Sequence, residues 1–184
     1  MMPREASLAI SREEIDRRVG QLGAEITSYY ERGGKGPLCM VAVLKGSFIF
    51  LADLIRRIEY PLLVDFLGIT SYSQEDQRGG VVRFTKDLTL GIEGRDVLLV
   101  EDIVDTGLTL SFIIRTLKER RPRTVEVCGL LNRGRRRIAD LPLRFVGFDV
   151  GEDFLVGYGL DQGHLYRNLP DIYRLSAAQH GLSD

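Results

Sequence analysis

Apolar residues in this chain fall into two patterns that alternate along it. Short, nearly unbroken apolar runs are typical of strands buried on both faces of a sheet. They occupy residues 38–44, 62–69, 97–100 and 125–131, with shorter runs at 145–148 and 155–158. Apolar residues three or four positions apart predict helices instead. That spacing follows Ser11, which forms a capping-box pattern with Glu14, and recurs in residues 48–58 and 109–121.

Strands that alternate with helices predict an α/β fold, in which a mostly parallel sheet is flanked by helices. The 184 residues contain no repeat or linker, so we expect a single domain over residues 1–184. A polar, glycine-containing stretch at 71–83 predicts a long mobile loop. Ligands of such folds bind beyond the carboxyl ends of the strands, so candidate site residues are sought there.

Charge and composition narrow the function classes. The net charge is −1 and 44% of the residues are hydrophobic, so nothing indicates a nucleic-acid or membrane surface. No apolar run is long enough to span a bilayer, and the charged N-terminus lacks the apolar core of a signal peptide. Cys39 and Cys128 lie in apolar runs and are expected to be buried free thiols. With only two histidines, a histidine metal cluster is implausible. The free thiols and the lack of a signal-peptide pattern lead us to expect a cytoplasmic protein.

The most informative segment begins where the strand at 97–100 is expected to end. Glu101 and Asp102 come first, and a loop then opens a helix; the loop consists of Asp105, Thr106, Gly107, Leu108 and Thr109. Backbone N–H groups at a helix start bind anions, and Gly107 lets them converge. The acidic pair can accept hydrogen bonds from ribose hydroxyls or hold a divalent cation, and Asp105 can move a proton. The segment therefore predicts a sugar-phosphate site with a metal nearby.

Other interpretations of this segment fit less well. A merely polar turn would leave three carboxylates within five positions repelling one another. A P-loop would require a G-x-x-x-x-G-K-[ST] sequence, which does not occur, and Gly157-Tyr158-Gly159 lacks the third glycine of a dinucleotide motif. Asp105-Thr106-Gly107 is also the aspartic-protease tripeptide, but those enzymes are all-β and pair two such aspartates.

Residues 97–109 resemble the phosphoribosyl-pyrophosphate (PRPP) signature of the type I phosphoribosyltransferases, most closely the members that use hypoxanthine and guanine. The similarity runs from about Ile10 to Tyr173 and includes the segments at 43–47, 71–72, 145–148, 154–161 and 166–170. It implies that family's α/β fold, with a small hood built from the chain ends and a mobile active-site loop at 71–85. It also implies Mg²⁺-dependent transfer of the phosphoribosyl group from PRPP to hypoxanthine and guanine, which gives IMP or GMP and pyrophosphate. A homodimer or homotetramer is expected as well.

The resemblance also implies roles for individual residues. Glu101 and Asp102 would hold the ribose hydroxyls and the metal, the loop at 105–109 would hold the 5-phosphate, and Asp105 would accept a proton from the purine. Pyrophosphate binding is implied for Lys45, Gly46, Ser71, Tyr72 and Arg167. Base binding is implied for Arg133, Phe154, Leu155 and Asp161, of which Asp161 also lies near the metal. From the residues alone, Lys45 could equally be a solvated lysine, Phe154 a core residue, and Asp161 with Arg167 a surface ion pair.

Two further expectations concern the details of this pattern. In the family the peptide bond before the matching lysine is cis, so we expect Leu44–Lys45 to be cis. Arg133 stands where the family usually has a lysine that donates to the six-position oxygen of the purine. Because arginine is larger, planar and forked, Arg133 either retains oxopurine recognition or swings outward and weakens it.

A PRPP-binding regulator of nucleic acids on the same fold is the alternative function. The basic residues at 133–137 are its only support. The chain has no room for an added DNA-binding domain and keeps the loop, aromatic and pyrophosphate positions of the enzymes. A nucleic-acid partner is therefore not expected.

Overall fold

The structure is a computed structural model and describes residues 6–71 and 82–175. The strands within these residues are β1 (Ala6–Ile10), β2 (Leu38–Leu44), β3 (Leu62–Ser71), β4 (Val82–Lys86), β5 (Asp96–Val104), β6 (Thr124–Asn132), β7 (Leu143–Asp149), β8 (Phe154–Val156) and β9 (Ile172–Leu175). The helices are α1 (Arg12–Gly33), α2 (Phe48–Ile55) and α3 (Leu108–Lys118), with a short 3-10 turn at Gly134–Arg136.

The strands form two sheets. The larger has the order β4-β3-β2-β5-β6-β7, and every neighbouring pair in it is parallel except β3 with β4. The smaller, antiparallel sheet has the order β1-β9-β8 and so joins both ends of the described chain. These features confirm the α/β fold with a mostly parallel sheet, flanking helices and a small hood from the chain ends.

Both faces of the large sheet are covered, which explains why β2 is an unbroken apolar run. Met40 and Ala42 pack with the side chains of α1 and α2, whereas Cys39 and Val41 pack on the opposite face with those of α3. All four are fully buried. A central parallel strand has no solvent-facing side and therefore needs no polar alternation.

Local signals explain the start of α1 and the end of α2. The Ser11 hydroxyl accepts from the Glu14 N–H at 3.3 Å, and the Glu14 carboxylate accepts from the Ser11 N–H at 2.9 Å, so the capping box is formed. The helix expected at 48–58 ends at Ile55, because the chain turns there and the Arg57 N–H bonds to the Leu54 carbonyl.

None of the helices in the described ranges has the length and apolar character needed to cross a membrane.

Several elements differ from the pattern-based expectation. The apolar run at 97–100 is only the first half of β5, which continues through the acidic pair to Val104. The segment expected as a loop at 71–85 starts at the last residue of β3 and ends inside β4, and residues 72–81 between them lie outside the described residues. Cys39 and Cys128 are buried and free, as expected.

Candidate active site

The carboxyl ends of β2 and β5 meet at the centre of the large sheet. The chain leaves β2 towards β3 on one side, whereas it leaves β5 towards β6 on the other. Such a reversal opens a crevice between the two strand ends, and ligands of open α/β sheets bind there. Lys45 and Gly46 follow β2 directly, and the acidic pair lies at the end of β5.

The two strand ends touch at Gly46. A Cβ atom built on Gly46 would lie 1.5 Å from Asp102 Oδ2 and 2.5 Å from its Cγ, so only glycine fits beside this carboxylate. The preceding Leu44–Lys45 peptide bond is cis, which confirms that expectation. The buried Ser47 hydroxyl donates to the Val43 carbonyl at 2.6 Å and fixes the turn into α2. Lys45, which precedes Gly46, is exposed.

The acidic pair lies in surroundings that disfavour the charged form of both carboxyl groups. Glu101 Oε2 is buried and has no hydrogen-bond partner in the described part of the chain. Burial, followed by the nearby Asp102, raises the pKa of Glu101 well above its usual range. Burial also raises the pKa of Asp102 to about 6, although Oδ1 accepts from the Ile103 N–H at 2.8 Å. A cation or sugar hydroxyls placed here would supply the missing partners.

A divalent cation fits this donor set only with help from a ligand. Among residues 6–71 and 82–175, no three His, Cys, Asp or Glu side chains are arranged to hold a metal ion by themselves. Glu101 and Asp102 offer oxygen donors, which magnesium prefers. Magnesium usually keeps several waters and binds through one or two carboxylates and substrate phosphates, so the sparse donor set is compatible with it.

The loop after β5 presents a bare helix start. Gly107 has a positive φ of 82° and stands at the N-cap of α3, where it has no side chain to cap the helix. The Thr106 hydroxyl accepts from the Leu108 N–H at a long 3.5 Å. The other N–H groups of the first turn remain available to an anion. The Thr106 carbonyl accepts from the Ile138 and Ala139 N–H groups at 2.9 and 3.2 Å, which braces the loop from behind. Thr106 and Thr109 are partly buried, and Leu108 is exposed.

Two guanidinium groups contact the Asp105 carboxylate. Arg133 Nη1 lies 3.3 Å and Arg136 Nη1 lies 3.1 Å from Asp105 Oδ2. Asp105 Oδ1 is buried and has no partner within the described residues. Arg133 also donates to the Asp153 carbonyl, and its side chain is only 11% exposed. Arg133 is therefore directed inward, and its recognition of an oxopurine stays a prediction.

The hood supplies the remaining candidates. Phe154 is partly buried at the start of β8, whereas Leu155 is buried in the core, so a base would meet its backbone rather than its side chain. Arg167 Nη2 pairs with Asp161 Oδ1 at 2.6 Å, and the two side chains are 21% and 27% exposed. Arg167 Nη1 donates to the Gly159 carbonyl at 2.7 Å. The two residues thus form an ion pair that the backbone of the hood orients.

Comparison with known proteins fits this geometry. The model of the phosphoribosyl transferase domain matches residues 11–162. The chain belongs to the phosphoribosyltransferase family. It is 44% identical over 169 residues to the hypoxanthine-guanine phosphoribosyltransferase of Bacillus subtilis, with 92% of each chain covered. It is also 44% identical over 166 residues to that of Aquifex aeolicus, with 90% of this chain and 92% of the other covered.

Solved structures of the same family agree. A hypoxanthine-guanine phosphoribosyltransferase from Bacillus anthracis superposes with a TM-score of 0.84 at 39% identity, covering 92% of this chain and 98% of that one. A hypoxanthine phosphoribosyltransferase from Staphylococcus aureus gives a TM-score of 0.87 at 40% identity, covering 97% and 94%. The resemblance drawn from the motifs is confirmed, and the chain is a phosphoribosyltransferase of the hypoxanthine-guanine type.

Not every predicted site residue of this phosphoribosyltransferase can be placed. Ser71 ends β3, and Tyr72 lies outside the described residues, so their assignment to the pyrophosphate site stays a prediction.

Arg136 and Arg137, by contrast, were predicted only as part of a basic cluster. Arg136 contacts the Asp105 carboxylate, and Arg137 Nε donates to the Asp105 carbonyl at 3.2 Å. The signal that could have found them is their position just after β6, the strand next to β5.

Proposed function

We propose that this enzyme transfers the 5-phosphoribosyl group from PRPP to hypoxanthine and guanine, giving IMP or GMP and pyrophosphate. The observation that carries the proposal is the contact between Gly46 and Asp102. It places Lys45 and Gly46, here called the lysine-glycine loop, beside the buried acidic pair, which precedes the glycine-capped start of α3. A diphosphate, a diol and a phosphate monoester are the three parts of PRPP, and each has a complementary region in this crevice.

Binding in this proposal follows the charges of the crevice. The N–H groups of the loop at 105–109 and the hydroxyls of Thr106 and Thr109 bind the 5-phosphate. Glu101 and Asp102 accept hydrogen bonds from the ribose hydroxyls. Lys45 and Arg167 offset the charge of the pyrophosphate, with Gly46 allowing close approach of the backbone. Mg²⁺ held by Glu101 and Asp102, with Asp161 nearby, would add positive charge beside the leaving group when bound.

Asp105 accepts the proton that the purine loses when its ring nitrogen forms the bond to the anomeric carbon. The bond from that carbon to pyrophosphate breaks in the same exchange, so pyrophosphate leaves with the bonding electron pair. Oδ2 is occupied by two guanidinium groups, whereas Oδ1 is unpartnered in the described part of the chain. Oδ1 is therefore the oxygen we assign to the general-base role.

Base choice rests on Arg133 in this proposal, with Phe154 stacking on the ring and the Leu155 backbone and Asp161 meeting its edge. A guanidinium is a permanent donor and suits the oxo group of hypoxanthine and guanine. Adenine carries an amino donor at the same position and would face Arg133 donor to donor. Oxopurines are therefore expected as substrates and adenine is not.

The alternative of a nucleic-acid regulator gains no support from the basic residues at 133–137. Arg133 and Arg136 contact Asp105, and Arg137 donates to Asn132 and to the Asp105 backbone. Three of the four arginines are thus directed into the crevice rather than forming a phosphate-binding face. A gel-shift assay with random RNA and DNA at physiological salt tests this, and a shift would restore the alternative.

The proposed function is tested by offering PRPP and Mg²⁺ with hypoxanthine, guanine, xanthine or adenine separately and measuring nucleotide formation. We expect IMP and GMP and no AMP. Asp105→Asn should lower turnover strongly while PRPP still binds. Asp87→Asn is the matched control, because Asp87 also pairs with an arginine, Arg120, at 2.7 Å but outside the site. Measurable PRPP binding without turnover of any base would contradict the proposal.

A further inference from the structure

The segment that follows β8 has an unusual backbone. Gly157, Tyr158 and Gly159 all have positive φ values, of 98°, 49° and 99°. Two glycines adopt this region readily, but a tyrosine does so only when its surroundings hold it there. The glycine–tyrosine–glycine sequence, which is too short for a dinucleotide motif, therefore encodes a sharp change of chain direction.

The segment supports the proposed pyrophosphate side of the crevice. A Cβ on Gly159 would lie 2.2 Å from the Gly46 carbonyl, so this backbone is packed directly on the lysine-glycine loop. Arg167 is tied to Gly159 twice, through its Nη1 to the Gly159 carbonyl at 2.7 Å and through its own carbonyl to the Gly159 N–H at 3.0 Å. The place of Gly159 thus determines where the Arg167 guanidinium lies.

Tyr158 anchors the same segment from the other side. Its hydroxyl donates to Asp53 Oδ2 at 2.7 Å, and its side chain is 6% exposed. Asp53 belongs to α2, the helix that directly follows the lysine-glycine loop. Burial and Asp53 raise the pKa of Tyr158, so the phenol remains a donor. Tyr158 and Asp53 also line a cavity of about 590 Å³ together with Ile49 and Leu169. Neighbouring side chains therefore do not enclose the hydrogen-bonded pair on every side.

We infer that the Tyr158–Asp53 hydrogen bond is a positioning device that fixes Arg167 against the lysine-glycine loop and so sets the affinity for the pyrophosphate end of PRPP. The inference rests on the proposed function and deepens it. Neither residue touches the substrates; both act through Gly159. Loss of the bond should weaken pyrophosphate binding and leave the purine side, built on Asp105 and Arg133, unchanged.

The test compares Tyr158→Phe with Tyr60→Phe. Both variants keep the ring and lose one phenol hydrogen bond, since the Tyr60 hydroxyl donates to the Gly36 carbonyl at 3.0 Å away from the crevice. We expect Tyr158→Phe to raise the KM for PRPP and the dissociation constant of Mg²⁺-pyrophosphate, measured by calorimetry, about 5- to 10-fold, the effect of one lost buried hydrogen bond. The KM for hypoxanthine should change less than twofold, and Tyr60→Phe should change neither constant.

Variants of the acceptor separate positioning from stability. Asp53→Asn keeps an acceptor oxygen and should bind pyrophosphate nearly as the wild type does, whereas Asp53→Ala should match Tyr158→Phe. The double variant should bind pyrophosphate no worse than either single one, because both remove the Tyr158–Asp53 bond. Asp53→Ala also removes the ion pair of Asp53 with Arg56, so its stability is measured separately by urea unfolding.

Each outcome bears on a different claim. Equal rises in the KM values for PRPP and hypoxanthine, or an unchanged pyrophosphate affinity in an active enzyme, would overturn the positioning role alone. A wild-type protein that forms no nucleotide would overturn the proposed function and this inference with it.

Discussion

Replacing Gly46 by alanine tests the geometry on which the site is built. The new Cβ would lie 1.5 Å from Asp102 Oδ2, whereas ordinary van der Waals contact begins near 3.4 Å. The Asp102 side chain must therefore rotate, or one of the two strand ends must move, by about 2 Å. Rotation would break the hydrogen bond that Asp102 Oδ1 accepts from the Ile103 N–H at 2.8 Å, and either response displaces the carboxylate from its place in the site. Misplacing a reacting group by about 1 Å can lower a rate about 100-fold.

We therefore expect Gly46→Ala to lower kcat/KM for PRPP at least about 100-fold with a native far-UV circular dichroism spectrum. Gly20→Ala in α1 is the matched control, because its new methyl group would have no atom within 4 Å in the described structure beyond that helix's own backbone and the adjacent residues. The double variant Gly46→Ala/Asp102→Ala removes the clash and should melt at a higher temperature than Gly46→Ala alone. Wild-type kcat/KM in Gly46→Ala would refute the reasoning.

Three further predictions concern Asp65, Arg133 and Ser11. Burial disfavours the Asp65 carboxylate, but hydrogen bonds from the N–H groups of Leu90, Phe66 and Thr89 and from the Lys86 ammonium outweigh burial. They lower the pKa of Asp65 from 3.8 to about 2. The charged carboxylate therefore adds about 2 kcal/mol to the free energy of unfolding at pH values above 3.8. Asp65→Asn should lose this in urea unfolding at neutral pH, and the difference from the wild type should shrink as the pH falls from 3.8 towards 2; a pH-independent difference would contradict this. Arg133→Ala should raise the KM for hypoxanthine about 10- to 100-fold, Arg133→Lys less than tenfold, and neither should change the KM for PRPP by more than about twofold; equal effects on both substrates would argue against a base-binding role. Ser11→Ala should cost about 1 kcal/mol in urea unfolding through loss of the capping box, and an unchanged midpoint would contradict that account.

The sequence was sufficient where local chemistry decides the structure. β2 begins and ends where its apolar run does, because a strand that is buried on both faces has apolar residues at every position. The start of α1 is recorded in Ser11 and Glu14, and the turn into α3 in Gly107. The main elements and the phosphate-type loop could therefore be located from single segments.

Pairing over long sequence separations was not predictable in the same way. β5 continues past its apolar run because Glu101 pairs with Gly129 and Val104 with Asn132, and those contacts belong to β6. β1 is a strand only because it pairs with β9 at the other end of the described chain. The approach of Gly46 to Asp102 likewise joins two strand ends that no short-range pattern connects. Strand propensity reflects such neighbours more than the strand's own residues.

The buried polar atoms without partners show most clearly where sequence reasoning ends and the site begins. In the described residues there are four such side-chain atoms, and three belong to Glu101, Asp105 and Arg133. An unpaired buried polar group lowers stability, so a fold normally supplies a partner. These three sit together at the carboxyl ends of β5 and β6, where the fold has left an acceptor, a proton acceptor and a donor unsatisfied. A ligand that carries a diol or cation, a proton to lose and an acceptor oxygen would satisfy all three. The unpaired atoms lower the stability of the free protein, and a ligand that pairs with them would restore that stability when it binds.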